Sequence, residues 1–399
     1  EFVFGDWSSD VCSSDLFLMS STLGLLNLGI VFFAREAFQA SPRTVGWLAA
    51  VWSMTYVAGC AALRPLLARL LARHLVLFSI TVIASLLWQM QAATRLSTVF
   101  VLYGLHGFVL SLFWPPLMGW LSADEEGQSL NRIVAGFNLS WCAGAVISPY
   151  ACGWLSERSV RLPLQVGFGL LLLALALVLA AIAWLPRLRL VAVPVPGERA
   201  AVLQGRQTAL RFPSWLGLFA AYLGLGVLLA VFPMACEDEL RFPRRLIGGL
   251  FLLRGLFNAV GFIALGRWGF WHFRPWPVAV APAVAGVAFL ALSGNRSPVW
   301  IGALLVAFGL GMAMSYTASI FHGVSGSLNR AGRMAVHEAT LAAGLVLGSA
   351  AGGILYQRFG SARVYGVCAA ALLVLAALCA GLSAWARRRD QRQESPQAG

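Results

Sequence analysis

Twelve stretches of this chain are apolar over the length that a helix needs to cross the hydrocarbon of a bilayer, about 20 residues. They fall at 16–34, 45–63, 75–93, 98–121, 133–154 and 163–185, and then at 214–234, 246–266, 275–292, 299–322, 334–356 and 364–385. Backbone exposed to lipid must satisfy its own hydrogen bonds, so only helices and closed barrels span membranes. Barrel strands alternate apolar and polar positions over about ten residues, and these runs are longer and do not alternate. The chain is therefore expected to be an all-α membrane protein with twelve transmembrane helices in two six-helix bundles. Composition agrees. Hydrophobic residues make up 59% and charged residues 11%, where a soluble domain carries about 25% charged residues.

The two sets of six are related by a repeat. Ser129-Leu130-Asn131-Arg132 is followed by an apolar run with Gly144 and Gly153, and Ser327-Leu328-Asn329-Arg330 by one with Gly344 and Gly353. Internal repeats of this kind build transporters from two similar bundles around a midplane site. Small residues at helical spacing let helix backbones approach closely in lipid. The four glycines are accordingly read as helix-packing positions, with the two repeated helices facing each other.

The remaining segments set the boundaries. Residues 1–15 lack an initiator Met and crowd Ser, Asp and Cys together, without the basic start and small-residue cleavage site of a signal peptide. They read as a non-native leader of sequencing-adapter type and are left out of the fold. Residues 16–185 form the N-terminal bundle, 186–213 a polar linker with five arginines, and 214–386 the C-terminal bundle. Residues 387–399 form a basic tail expected to be disordered. With both termini inside, inner loops and tail hold 17 arginines against 11 outside, which places the termini in the cytoplasm. All 29 basic residues are Arg and the formal net charge is +13. That charge is spread over short loops, which argues against nucleic-acid binding. The seven cysteines lie mostly in apolar runs with no zinc-ligand spacing, so they read as small apolar side chains.

Two local patterns carry a family resemblance. The run from Gly144 to Gly153, with Ser148-Pro149 at its centre, is similar to the glycine-proline motif on the fifth helix of many exporters of the major facilitator superfamily. The loop after the second segment, with Arg64, Arg69 and Arg73, resembles that family's basic loop between helices two and three. Ala68 and Leu71 stand where the family has an Asp and a Gly. The resemblance spans residues 16–385 and implies a secondary transporter working by alternating access. It also implies that Arg64, Arg69 and Arg73 serve an inner gate, with Asp124, Glu125 and Glu126 as substitute acids.

Charges inside hydrocarbon cost several kcal/mol, so intramembrane polar residues are functional candidates. His106, Asn138, Trp141, Arg254 and Asn258 are read as substrate-binding, with Arg254 and Asn258 one turn apart on a shared face. His337 and Glu338 are read as a coupling or gate pair. Burial raises a carboxyl pKa by up to several units, which suits an intramembrane acid to proton exchange near neutral pH. Asn27, Trp52, Tyr56, Trp114, Tyr222 and Tyr316 are weaker candidates, and Trp114-Pro115-Pro116 reads as a kink.

The expected function is secondary transport of a small organic solute, amphipathic or anionic, across the bacterial inner membrane, driven by protons or another ion. The protein is expected to act as a monomer, with no cofactor and no metal. The alternatives are an energy-independent facilitator and a membrane receptor or assembly protein that kept the fold without transport. An enzyme is not expected, since no acid, His or Ser cluster has catalytic spacing.

Overall fold

The computed structural model describes residues 7–63, 72–114, 127–184, 208–325 and 330–394. Among these residues there are eleven α-helices and no strand. They are α1 (Trp7–Phe38), α2 (Pro42–Ala62), α3 (Ala72–Gln91), α4 (Leu96–Leu110), α5 (Gly127–Ser156) and α6 (Leu162–Trp184). After residues 185–207 come α7 (Arg211–Asp238), α8 (Arg244–Arg267), α9 (Trp276–Leu292), α10 (Pro298–Val324) and α11 (Arg330–Glu394). Among the described residues, eight helical stretches are long and apolar enough to cross a bilayer, and α4 and α9 are shorter apolar helices.

α11 contains the one internal break, at Gly360, where φ is 74° and ψ 176°. A Cβ disfavours positive φ, which is why glycine stands there. Beyond the break, the Glu239 carboxylate at the end of α7 accepts from the Ser361 backbone N–H at 3.0 Å and from its hydroxyl at 2.5 Å. An acid at a helix N-terminus satisfies an orphan N–H and complements the helix dipole.

Three boundaries differ from the sequence reading. α1 begins at Trp7 rather than at residue 16, because no Gly or Pro interrupts residues 7–15 and each added residue propagates the helix by one hydrogen bond. α4 ends at Leu110 rather than running to 121. The Ser111 N–H turns back to Phe108 O, and its hydroxyl donates to the same carbonyl at 2.7 Å. Ser111, Leu112 and Phe113 form a turn and Trp114 is helical again, while residues 115–126 lie outside the described set. The tail is not disordered from Arg387; α11 continues to Glu394. Arg is a good helix former, the Arg389 guanidinium lies 5.5 Å from the Trp385 ring one turn back, and Ala386 is buried against Ala209 and Leu210.

The chain divides into two compact units, Glu1–Ser41, Val51–Val193 and Phe242–Leu252 in one, and Pro42–Ala50, Pro194–Arg241 and Leu253–Gly399 in the other. In the first, α1 packs on α5 and α6, and α3 packs on α4 and α6. In the second, α7 packs on α11, α10 and α9, and α9 packs on α10 and α11. α1 and α7 hold equivalent places and are the most enclosed spans of their units, 83% and 78% buried.

The repeat recurs in these contacts at atomic detail. A Cβ on Gly144 would meet Phe17 O at 2.5 Å and Ser21 N at 2.8 Å; one on Gly344 would meet Phe219 O at 2.5 Å and Leu223 N at 3.0 Å. Gly144 thus faces α1, and Gly344 faces α7. Each lets its helix press backbone to backbone against the first helix of its own half, where any larger residue would hold the pair apart. The same correspondence governs two further crossings. In the first unit, a Cβ on Gly248 would meet Pro149 O at 2.3 Å, and one on Gly153 would meet Arg244 O at 2.3 Å. In the second, a Cβ on Gly46 would meet Ser349 O at 2.5 Å, and one on Gly353 would meet Pro42 O at 2.6 Å. α8 thus crosses α5 as α2 crosses α11, residue for residue.

Candidate functional site

In the first unit the polar groups gather where α1, α2 and α4 meet. His106 on α4 is fully buried, and its Nδ1 accepts a 2.8 Å hydrogen bond from the Trp52 indole N–H on α2. An indole nitrogen only donates, so Nδ1 carries no proton and Nε2 carries it in the neutral ring. That Nε2–H is buried without an acceptor among the described residues. A donor left this way costs about 1–3 kcal/mol, which marks the position as something other than ordinary core. Tyr103, one turn before His106, donates its hydroxyl to Asn27 Oδ1 on α1 at 3.1 Å. The rings lie in related planes. Trp52 and Tyr56 are 6.0 Å apart at 6°, Trp52 and Tyr103 6.2 Å at 26°, and Tyr103 and His106 6.0 Å at 25°.

Trp141 on α5 meets α1 seven residues before Asn27, where its backbone carbonyl accepts from Ser20 Oγ at 2.8 Å, and no hydrogen bond or ring contact joins its side chain to this group among the described residues. Asn138 is within α5, but its side chain lies outside the described set. Arg64 and Arg69 also fall outside it, as do Asp124, Glu125 and Glu126; Arg73 lies within α3, with its side chain undescribed.

In the second unit, Arg254 and Asn258 follow one another along α8 against α10. Arg254 Nη1 lies 3.5 Å from Met312 Sδ, and Gly309 lets α10 approach so closely that a Cβ there would meet Arg254 O at 2.5 Å. Asn258 is 6% exposed, and its Oδ1 has no donor among the described residues. One turn on, Phe262 packs edge-on to Tyr316 of α10 at 5.5 Å. Tyr316 in turn meets the His337 ring of α11 at 4.9 Å and 82°, and lies 6.4 Å from Tyr222 of α7. His337 Nδ1 is bonded to Ser319 Oγ at 2.8 Å. Arg254, Asn258, Tyr316 and His337 therefore lie along one continuous seam of α8, α10 and α11. Glu338, next along α11, forms no ion pair with a described side chain.

A further histidine lies in an aromatic cluster beside the 3-10 turn Gly269–Trp271. Ser214 donates its only proton to Leu210 O at 2.8 Å, so its contact with His322 Nδ1 at 2.8 Å makes that nitrogen the donor. Trp271 and Phe321 pack edge-on to His322, and His272 stacks on Phe321 at 4.2 Å. His272 lies outside the spans, and partial burial lowers its pKa from the ordinary value.

Where α1 and α8 meet, Arg244 pairs with Glu36 at 2.8 Å, donates to Ser156 O at 3.1 Å and lies over the Phe32 ring. Glu157 accepts from the Arg245 N–H at 3.0 Å. Sequence reading passed over these groups, and over Tyr103, Ser319 and His322. Each looks ordinary alone, and their partners are 18 to 208 residues away.

Comparison with known proteins accords with this architecture. The sequence profile of the Major Facilitator Superfamily matches residues 16–325. Among solved structures the fold is similar to that of the nucleoside transporter NupG, at 14% identity and a TM-score of 0.71, over 94% of this chain and 99% of NupG. An alanine mutant of the same transporter aligns over the same shares with a TM-score of 0.67. No curated protein matches the sequence significantly. At 14% identity the likeness is one of fold, whereas the profile match covers most of the sequence: the chain belongs to the Major Facilitator Superfamily, whose members are membrane transporters and not enzymes.

Proposed function

We propose that this protein is a proton-coupled secondary transporter that moves a small organic solute across the bacterial inner membrane by alternating access. Twelve crossings, the last two separated at Gly360, would place both termini in the cytoplasm. The observation that carries the reading is the matched pair of glycine crossings, α8 on α5 and α2 on α11. Both sit near the starts of α2 and α8, which in this orientation is the outer side. Each is made by backbone atoms facing glycines, so it can part and re-form without unlocking side chains. A device that closes and opens one side twice over, in symmetric fashion, is what a carrier with two similar halves requires. The Glu36–Arg244 pair would add a charge contact to one of them, worth about 1 kcal/mol or less at such an exposed place.

Glu338 supplies the coupling group in this reading. It is a carboxyl within a membrane span, adjacent to His337, and neighbours on a helix diverge by about 100°. The two therefore serve separate faces, His337 toward Ser319 and Tyr316, Glu338 exchanging protons as water access alternates. The test is Glu338→Gln in proteoliposomes. Accumulation driven by a pH gradient should fall to the equilibrium level, while solute exchange without a gradient stays within about twofold of the parent, since only the titrating step is removed. Accumulation equal to the parent's would remove proton coupling from this residue and favour an energy-independent facilitator. Nucleosides, the cargo named for NupG, belong in the first panel of solutes.

A further inference from the structure

We infer that the shelf made by Trp52 and Tyr56, backed by the buried ring of Tyr103, is a subsite for a planar, uncharged aromatic ring bearing a hydrogen-bond acceptor. The inference rests on the transporter reading only in calling that ring part of the solute. Three observations carry it.

The first is where the rings point. On α2 the exposed residues Trp47, Met54 and Ala58 share one face. At about 100° per residue, Trp52 and Tyr56 lie about 140° and 180° round the helix from Trp47. They are partly exposed all the same, so what they expose is turned inward, away from the face that meets lipid. The second is the near-parallel arrangement, 6° between Trp52 and Tyr56 and 26° between Trp52 and Tyr103. Parallel ring faces favour a flat guest stacked in offset fashion. His106 fixes the indole plane through the Nε1–H to Nδ1 bond. The third is the polar complement. His106 Nε2–H is a buried donor without an acceptor among the described residues, and Asn27, whose Oδ1 already accepts from Tyr103, has its amide hydrogens to offer. Both are donors, so the guest supplies an acceptor.

Charge decides between a ring and a cation. Aromatic faces also attract quaternary ammonium groups, but a buried cation needs an opposing charge. Among the described residues, the apolar spans of this unit, with that of α1 counted from Leu16, hold no acid but Glu36, which is bound to Arg244.

The test uses the full chain in detergent and matched probes: benzamide, cyclohexanecarboxamide and tetramethylammonium. Benzamide and cyclohexanecarboxamide share the amide acceptor and differ in the flatness of the ring. The parent should bind benzamide about tenfold or more tightly than its saturated counterpart, the size of effect that one stacked ring gives. Trp52→Leu should abolish that ratio, and Tyr56→Leu should reduce it. Trp52→Phe keeps a ring but loses the bond to His106, so it should retain part of the preference and guards against a folding defect in Trp52→Leu. Equal binding of the two amides, preference for tetramethylammonium, or a ratio unchanged in both leucine variants would overturn the subsite. A chain that shows the ratio but moves no solute in vesicles would instead refute the transport reading and leave the subsite standing.

Discussion

Arg254 is a guanidinium placed within the α8 span, on the seam with α10. Arg stays charged in any protein environment and presents a planar fork, whereas Lys presents a point charge. If the seam contributes a fixed positive charge to solute binding, Arg254→Gln should weaken an anionic solute by about tenfold or more, as losing a charged hydrogen bond typically costs about 1.5–3 kcal/mol. Arg254→Lys should recover only part of that. Titration calorimetry on the purified variants checks this, and equal affinity in all three proteins would assign Arg254 to packing. Scarcity made Arg254, His106, His337 and Glu338 legible in the sequence: a charge or imidazole in an apolar run stands out without any knowledge of the fold. Partnership was not legible. Trp52 and His106 are 54 residues apart, and nothing local says that the indole will fix the imidazole's tautomer. Tyr103 was missed because an aromatic residue in a membrane helix is unremarkable until its hydroxyl is seen to meet Asn27.

At the scale of elements, glycines divide by what faces them. Gly344 presses on the backbone of α7, where a methyl would lie 2.5 Å from a carbonyl oxygen, while Gly366, later in α11, has nothing within 4 Å. Gly344→Ala should therefore destabilise the protein by about 1–3 kcal/mol through overpacking. Gly366→Ala should be neutral or stabilise it by about 0.5–1 kcal/mol, as helix propensity dictates. Gly144→Ala should follow Gly344→Ala, because the same two backbone groups face it. Thermal unfolding of the three variants measures the contrast; a shared effect at all three positions would mean that close packing does not set the role of these glycines. The spacing of the glycines was visible as a repeat, but their targets were not, because spacing marks which helices can approach and leaves open which neighbour they approach. The end of α4 was misread for a related reason. Apolar residues continue beyond Leu110, and hydropathy does not register that the hydroxyl and N–H of Ser111 turn back on Phe108 O and break the helix there.

At the scale of the molecule, the membrane class and the order of apolar segments were legible because hydrocarbon imposes length and composition on every span. The correspondence of α2 with α8, and of α5 with α11, required the structure, because it resides in backbone contacts that share no sequence motif beyond glycine. It is this correspondence that argues for a carrier, since a channel needs no paired closures and a receptor needs none that open. Counterflow separates these cases. Vesicles containing the purified protein are loaded with an unlabelled solute that the protein binds, then diluted into a trace of the same solute in labelled form, with no ion gradient. A carrier that exposes its site to one side at a time should accumulate label transiently above equilibrium, because unlabelled solute leaving on the returning site drives labelled solute in. Monotonic equilibration of the label, or no entry at all, would contradict alternating access.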